Sequence, residues 1–456
     1  MSLTYEELHT FVPMMAELET ENPMISLWRN AGGRSPQPSL RRLREIAWLG
    51  RDAVLRNRPL QRPERGQVVI LSYSATPSTL GTLLPVMAEL HRQGRPAFFI
   101  SSHKTAHVLE RNLHKGHADL QHILATAPTW ERLKLRSRAR AMAERIRNIL
   151  TDGLDGCSEI WLEMGLAAQF AARQWIAGAG AMIADSDVEP IRKGFFLGAM
   201  QTGVPSFILQ HGMLDLFNFP MHADQFLAWG EYFRKQALQL GALSERVVAV
   251  GSPRWDPLAT ERNNPRDPRI RAALGGKAGG PLVVLMSQGH GAATQPGYFD
   301  ALFEGLTRLL TAGIDVAIKL HPAEAGLDAY RGRVPGHLLE RVRVVPPEIG
   351  LNQALLHADV AYTAFSAASI DAMLLGVPVL FGRADSGVQL CDCPDFGGGV
   401  WVSPDDIVER CHELAGDGAE RRAVIERQET FLDYALANRG KAAEKAVQRI
   451  LSAARN

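Results

Sequence analysis

The chain has 456 residues, 46% hydrophobic and 22% charged, the balance of an ordinary globular protein with length for two or three domains. Its 50 Lys and Arg against 49 Asp and Glu leave a formal net charge of +1, so no whole-molecule field gathers nucleic acid or an anionic membrane. Four cysteines, Cys157, Cys391, Cys393 and Cys411, are too few and too irregular for a disulfide framework or a four-thiolate zinc site. No apolar run reaches the ~18 to 20 residues that cross a bilayer, and the N-terminus carries neither a basic n-region nor an apolar h-region, so a cytoplasmic protein is expected.

In chain order, residues 1–62 read as a helical N-terminal extension. Trp28, Leu43, Ile46, Ala47, Leu49 and Leu55 recur at helical spacing among Arg41, Arg42, Arg44, Arg51, Arg56 and Arg58. Such a helix either docks on an anionic membrane surface or partner, or packs on the next domain with its arginines solvated. From Gln67 the pattern becomes an apolar run (VVILSYS), a turn-rich ATPSTLG, a helix over 82–92, Gly94 as a stop and a second run, PAFFIS. A charged helix is expected over 131–150. Strand 181–184, helix 189–200, the punctuation of Gly203 and Pro205, and strand 206–209 repeat the unit. The runs QFLAWG and VVAVGSP follow, with helical EYFRKQALQLGA between them.

A stretch rich in Pro, Gly, Asn and charge over 256–280 reads as a linker. The alternation then restarts: PLVVLMSQ, a helix over 298–310, IDVAIKLHP, RVRVVP, LNQALLHA, DVAYTAF, a helix over 366–375 and VPVLFG. The pattern predicts an α/β protein with two Rossmann-like doubly wound domains, 63–255 and 281–403, each a parallel sheet covered on both faces. Residues 404–456 read as helices, long enough to cross back over the first domain.

Ligands of open parallel sheets bind beyond the carboxyl ends of the strands. In DVAYTAFSAASID a strand ends at Thr363 and a helix opens near Ser366, where free backbone N–H groups and the macrodipole suit a phosphate, with Ser366 and Ser369 as hydroxyl donors; a capped helix alone would also account for Ser366. IDVAIKLHP puts Lys319, His321 and Pro322 at another strand end of the same domain, an ammonium and an imidazole for the same anion. Glu348 in the acidic loop before the short helix LNQALLHA can meet a base or ribose, or Asn352 can simply cap that helix. Ser287 and Gln288 open a glycine-containing loop after the first strand, which can wrap a diphosphate. In the first domain His211 follows a strand and is the side chain best suited to take a hydroxyl proton near neutrality; Asp215 can orient it or act itself, or His211 can simply shape the loop. Asp185 and Asp187 are further bases by position, or caps of the next helix.

With these residues quoted, the chain from about Gln67 resembles the GT-B superfamily of nucleotide-sugar glycosyltransferases, in which two Rossmann-like domains face a cleft. The pairing of Lys319-Leu320-His321-Pro322 with Ser366 to Ser369 looks like the HP and Ser motifs of bacterial sialyltransferases and capsule Kdo-transferases, which use CMP-activated acidic sugars. The stretch from Gln210 to Asp256 looks like the central region of capsule and lipopolysaccharide biosynthesis proteins, including relatives of CDP-glycerol glycerophosphotransferases. The resemblance implies donor contacts from His321, Ser366 and Ser369, with Asp371 near an expected acidic place, and an acceptor or reacting centre at His211 and Asp215. It departs from those families in lacking an acidic D/E-D/E-G base motif and the E-x7-E arrangement. No D-x-D strand-end element demands a metal, so no metal and no cofactor is expected. The expected partners are a nucleotide-sugar donor and a glycan or lipid-linked acceptor, with peripheral membrane association through the basic helix. Competing expectations are a UDP-N-acetylglucosamine 2-epimerase, a glycerophosphate transferase and a non-catalytic scaffold of glycan assembly.

Overall fold

A computed structural model describes residues 61–72, 76–101, 116–126, 129–149, 159–214, 218–219, 221–287, 296–321, 324, 326–383 and 391–454. The basic helix expected in the N-terminal extension therefore lies outside the described residues, as do Asp215, Gln288 and Pro322. The chain divides into two compact units, Met1–Arg254 with Lys441–Asn456, and Trp255–Gly440.

The first unit is built on a seven-stranded sheet of β1 (Val68–Ser72), β2 (Phe98–Ser101), β3 (His117–Asp119), β4 (Ala181–Ala184), β5 (Ser206–Leu209), β6 (Gln225–Ala228) and β7 (Val247–Ala249). The order is β3-β2-β1-β4-β5-β6-β7 and every pairing is parallel. Strands β1, β2, β4 and β5 are buried at every position, which is why they appear as unbroken apolar runs rather than alternating ones. The helices are α1 (Pro77–Arg92), α2 (Leu120–Ala125), α3 (Thr129–Ile149), α4 (Glu159–Trp175), α5 (Pro190–Thr202) and α6 (Glu231–Gln239).

Helix α1 begins five residues before the expected 82, because the turn-like Thr76-Pro77 is a helix start: the Thr76 hydroxyl accepts from Thr79 N–H and Pro77 occupies the first turn. Helix α5 ends at Gly203, whose φ of 65° is the left-handed C-cap that glycine adopts without steric cost. It packs against α4 at very close range. A Cβ on Gly194 would lie 2.2 Å from the Gly165 carbonyl oxygen, and one on Gly198 would lie 2.5 Å from Ala172 Cβ.

The second unit contains α7 (Leu258–Glu261), α8 (Pro268–Ala273), β8 (Leu282–Met286), α9 (Pro296–Thr311), β9 (Asp315–Lys319), α10 (Gly336–Leu339), β10 (Arg343–Val344), α11 (Leu351–Leu356), β11 (Val360–Thr363), α12 (Ala368–Leu374), β12 (Val379–Gly382), β13 (Val400–Val402), α13 (Ile407–Ala415) and α14 (Ala419–Ala435). Its sheet is again wholly parallel, in the order β10-β9-β8-β11-β12-β13. Residues 256–280 are bonded into this unit rather than forming a bare connection. Asp267 N–H donates to His357 Nε2 at 2.6 Å, and Arg271 bridges Asp359, the His357 carbonyl and the Gly280 carbonyl. The C-terminal residues divide: α13 and α14 stay with the second unit, while α15 (Ala442–Ala453) returns to the first. There Ala446, Val447 and Ile450 join the core of Val68, Ile70, Leu83 and Phe99.

Each unit thus has the doubly wound α/β architecture expected. Strand order reverses between β1 and β4 in the first unit and between β8 and β11 in the second, and these switch points are where crevices open beyond the carboxyl ends.

Candidate functional site

At the switch point of the first unit, β4 delivers Asp185 and β5 delivers Gln210 and His211 to the same edge. The His211 Nδ1 lies 2.8 Å from the Asp185 backbone oxygen. A carbonyl only accepts, so Nδ1 carries the proton and Nε2 keeps its lone pair. No described residue bonds Nε2. The side chain is 34% exposed, on a shallow open pocket lined also by Asp187, Gln210, Met213 and Phe226. The His211 carbonyl accepts from the Ser78 hydroxyl at 2.6 Å, and Arg254 reaches the same hydroxyl at 3.4 Å, so the start of α1 holds the histidine's backbone.

The Asp185 carboxylate is fully buried. Burial raises its pKa, but the Arg192 guanidinium at 2.9 Å, the neighbouring His211 and the Thr79 hydroxyl at 2.7 Å outweigh burial and hold it below the usual carboxylate range. A carboxylate so engaged is a fixed negative charge rather than a base. Its Oδ2 lies 4.0 Å from His211 Nδ1. Asp187 accepts from His222 N–H at 2.9 Å. Neither aspartate caps α5, whose N-cap position is Glu189 with no side-chain capping bond. Gln210 is structural, receiving Trp229 N–H on its side-chain oxygen.

In the second unit, the residues singled out from sequence fall at the carboxyl ends of three adjacent strands, β9, β8 and β11. Register pairs Met286 with Lys319, and the Thr363 hydroxyl donates to the Met286 carbonyl at 3.2 Å. Ser287 is buried between two partners: its hydroxyl donates to Glu324 Oε1 at 3.0 Å and accepts from Tyr330 at 2.6 Å. The other Glu324 oxygen accepts His321 N–H at 2.7 Å. One carboxylate therefore ties the loop after β9 to the end of β8. Burial pushes the Tyr330 hydroxyl up, so it stays a donor. Lys319 donates to the Ile349 carbonyl at 3.1 Å, which brings the loop bearing the exposed Glu348 to the end of β9; burial lowers the Lys319 pKa.

Helix α12 starts at Ala368, two residues later than expected. Ser366 N–H donates to the Thr363 hydroxyl and the Ser366 hydroxyl accepts from Ala368 N–H at 3.3 Å. Ser369 is 0% exposed and its hydroxyl is buried without a partner among the described residues, and Asp371 is 2% exposed. Both are therefore buried, whereas His321 is exposed and Ser366 half-buried. Sequence reading missed Thr79, Arg192, Glu324 and Tyr330. Of these only Glu324, three residues after His321, carried a local signal.

Neither a protein-family model nor a curated protein sequence matches the chain. Solved structures do. A UDP-GlcNAc 2-epimerase from Neisseria meningitidis bound to UDP-GlcNAc superposes with TM-score 0.55 and 14% identity over 85% of this chain and 100% of that one. The 2-epimerase from Methanocaldococcus jannaschii gives 0.52 and 12% over 85% and 99%. A glycosyltransferase from Rickettsia africae gives 0.53 and 11% over 86% and 99%. The chain has the GT-B fold. At these identities the likeness carries the architecture, two Rossmann-like units of this strand order, and the chemistry has to be argued from the residues.

Proposed function

We propose that this GT-B protein is a cytoplasmic transferase that moves a sugar from a nucleotide-sugar donor to a hydroxyl of a surface-glycan or lipid-linked acceptor, without a metal or cofactor. The observation that carries this reading is His211, an imidazole with its proton fixed on Nδ1 and an unbonded Nε2 on an open pocket. Nε2 takes the acceptor's hydroxyl proton, the acceptor oxygen bonds to the anomeric carbon, and the bond from that carbon to the phosphate oxygen breaks with its electron pair on the leaving nucleotide. The fixed charge of Asp185 stabilises the imidazolium that forms. The ends of β9, β8 and β11 bind the nucleotide: His321 and Lys319 offer cationic or donor groups, the Ser366 hydroxyl offers a donor to phosphate while its backbone N–H stays on Thr363, and Glu348 reaches the nucleoside. Ser369 and Asp371 support that surface, and the basic N-terminal extension attaches the protein to the membrane face that presents the acceptor.

A thermal-shift series with CMP, CDP, UDP and GDP tests the donor site. A nucleotide at 100 times its dissociation constant adds about 2.7 kcal/mol of apparent stability. A response to CMP alone supports an acidic-sugar donor, and no response to any nucleotide refutes the proposal. A second reading, epimerisation of a UDP-sugar, is favoured by the neighbours, several of which are 2-epimerases. Incubation with a nucleotide sugar and no acceptor separates the two, since an epimerase converts its substrate unaided.

A further inference from the structure

Cys391 and Cys393 flank Asp392 in the crossover between β12 and β13. Their Sγ atoms are 3.0 Å apart, well inside ordinary non-bonded sulfur contact and about 1 Å from the length of a disulfide bond. Neither is in a disulfide bond, and they are exposed to 2% and 0%. The local backbone explains the approach. Asp392 sits at φ −110° and ψ 16°, a turn conformation that swings two side chains separated by one residue to the same side, and Pro394 opens the 3-10 turn that follows. The turn is pinned: Gly398 N–H donates to the Cys393 carbonyl at 2.8 Å, and a Cβ on Gly398 would strike Phe431 at 2.7 Å and that carbonyl at 2.9 Å. Two buried thiols are thus held in near-bonding geometry by a turn with little freedom to separate them. Simple core packing needs no such approach, as Cys411 shows: it is equally buried with no second thiol bonded to it among the described residues.

We propose that Cys391 and Cys393 are a redox modification site, a dithiol that a hydroperoxide converts reversibly to an intramolecular disulfide. One thiol attacks the peroxide, forming a sulfenic acid and releasing water, and the second thiol attacks that sulfur, forming the Sγ–Sγ bond and releasing a second water. Two thiols and one hydrogen peroxide give one disulfide and two waters, the thiols losing two electrons and the peroxide gaining them. A dithiol reductant reverses the change by exchange. This site is independent of the proposed transfer reaction.

The test uses the full-length chain and hydrogen peroxide as probe. After brief exposure under native conditions the protein is unfolded in N-ethylmaleimide, digested and weighed. The peptide containing 391–393 is expected to lose about 2 Da and to carry no maleimide, and dithiothreitol is expected to restore two labelled thiols. Cys411, whose thiol burial pushes up to about 12, is expected to remain a labelled thiol in the same sample. In Cys391→Ser and Cys393→Ser the 2 Da loss disappears. Two maleimides on the 391–393 peptide after peroxide would overturn the proposal, and so would a disulfide joining either residue to Cys157 or Cys411.

Discussion

In the proposed transfer, His211 can act as a base only while its proton stays on Nδ1. The Asp185 carbonyl enforces this, and it defines an informative substitution: asparagine can still donate an N–H toward that carbonyl but has no basic nitrogen. His211→Asn is expected to lower kcat by about 10²–10⁴-fold while the melting temperature stays close to wild type. A melting temperature that falls with the activity would make His211 a structural residue. Asp185 gives the opposite prediction. Removing its charge leaves Arg192, buried at 4% side-chain exposure, to the more exposed Glu189 carboxylate at 3.0 Å, and Asp185→Asn is expected to cost about 1.5–3 kcal/mol of stability. The sign with pH follows from the lowered pKa: the carboxylate's contribution is full above the unfolded value near 3.9 and is lost as pH falls through the lower folded value. Melting temperature measured between about pH 6 and pH 3 should therefore drop for wild type and flatten for Asp185→Asn. At this scale the sequence made His211, Ser287 and His321 visible because strand ends are visible. It could not show that Asp185 fixes the tautomer from 26 residues away, or that Tyr330, 43 residues from Ser287, bonds it, because neither pairing has a local period.

Helices α4 and α5 meet where side chains would not fit. Alanine is about 1 kcal/mol better than glycine in a helix interior, so Gly194→Ala would stabilise an exposed helix. Here the new methyl would be driven into the Gly165 carbonyl and Ala168, and overpacking of that kind costs about 1–3 kcal/mol or more. The expected outcome is a lower urea midpoint with unchanged slope; a higher midpoint would mean that the helices separate freely. A second contact between elements is polar. Gln428 on α14, 0% exposed, accepts Val379 N–H and donates to the Val377 carbonyl, capping the entry of β12. Gln428→Leu would leave both backbone groups buried and unpaired, at about 1–3 kcal/mol each, readable as a drop in thermal midpoint. Strands β4 and β5 were legible to the residue because apolar runs there are bounded by Gly203, Pro205 and polar ends. Strand β13 was not, since three residues between glycines and a serine show no period, and α1 was shortened because a Thr-Pro start looks like a turn.

Across the whole chain, α15 assigns the last residues to the first unit. Val447 and Ile450 are fully buried there, each contributing about 1.5–3 kcal/mol. Deleting 441–456 is expected to lower the unfolding temperature of the first unit and leave the second unchanged, seen as the loss or shift of one of two calorimetric transitions. Equal shifts of both would show that the helix serves the two alike. The return of α15 was foreseen from tail length and apolar content, but α13 and α14 staying behind was not, because helical periodicity says which face is apolar and not what covers it.

That returning helix also reverses an order usually taken for granted. Domains commonly mature from the N-terminus as they leave the ribosome, yet here the unit that begins first must wait for residues made after the whole of the second unit. The uninterrupted stretch from Trp255 to Gly440 can finish earlier. During synthesis the core around Val68, Ile70 and Phe99 lacks its cover until translation passes Ile450, which makes the nascent first unit the natural client for a chaperone.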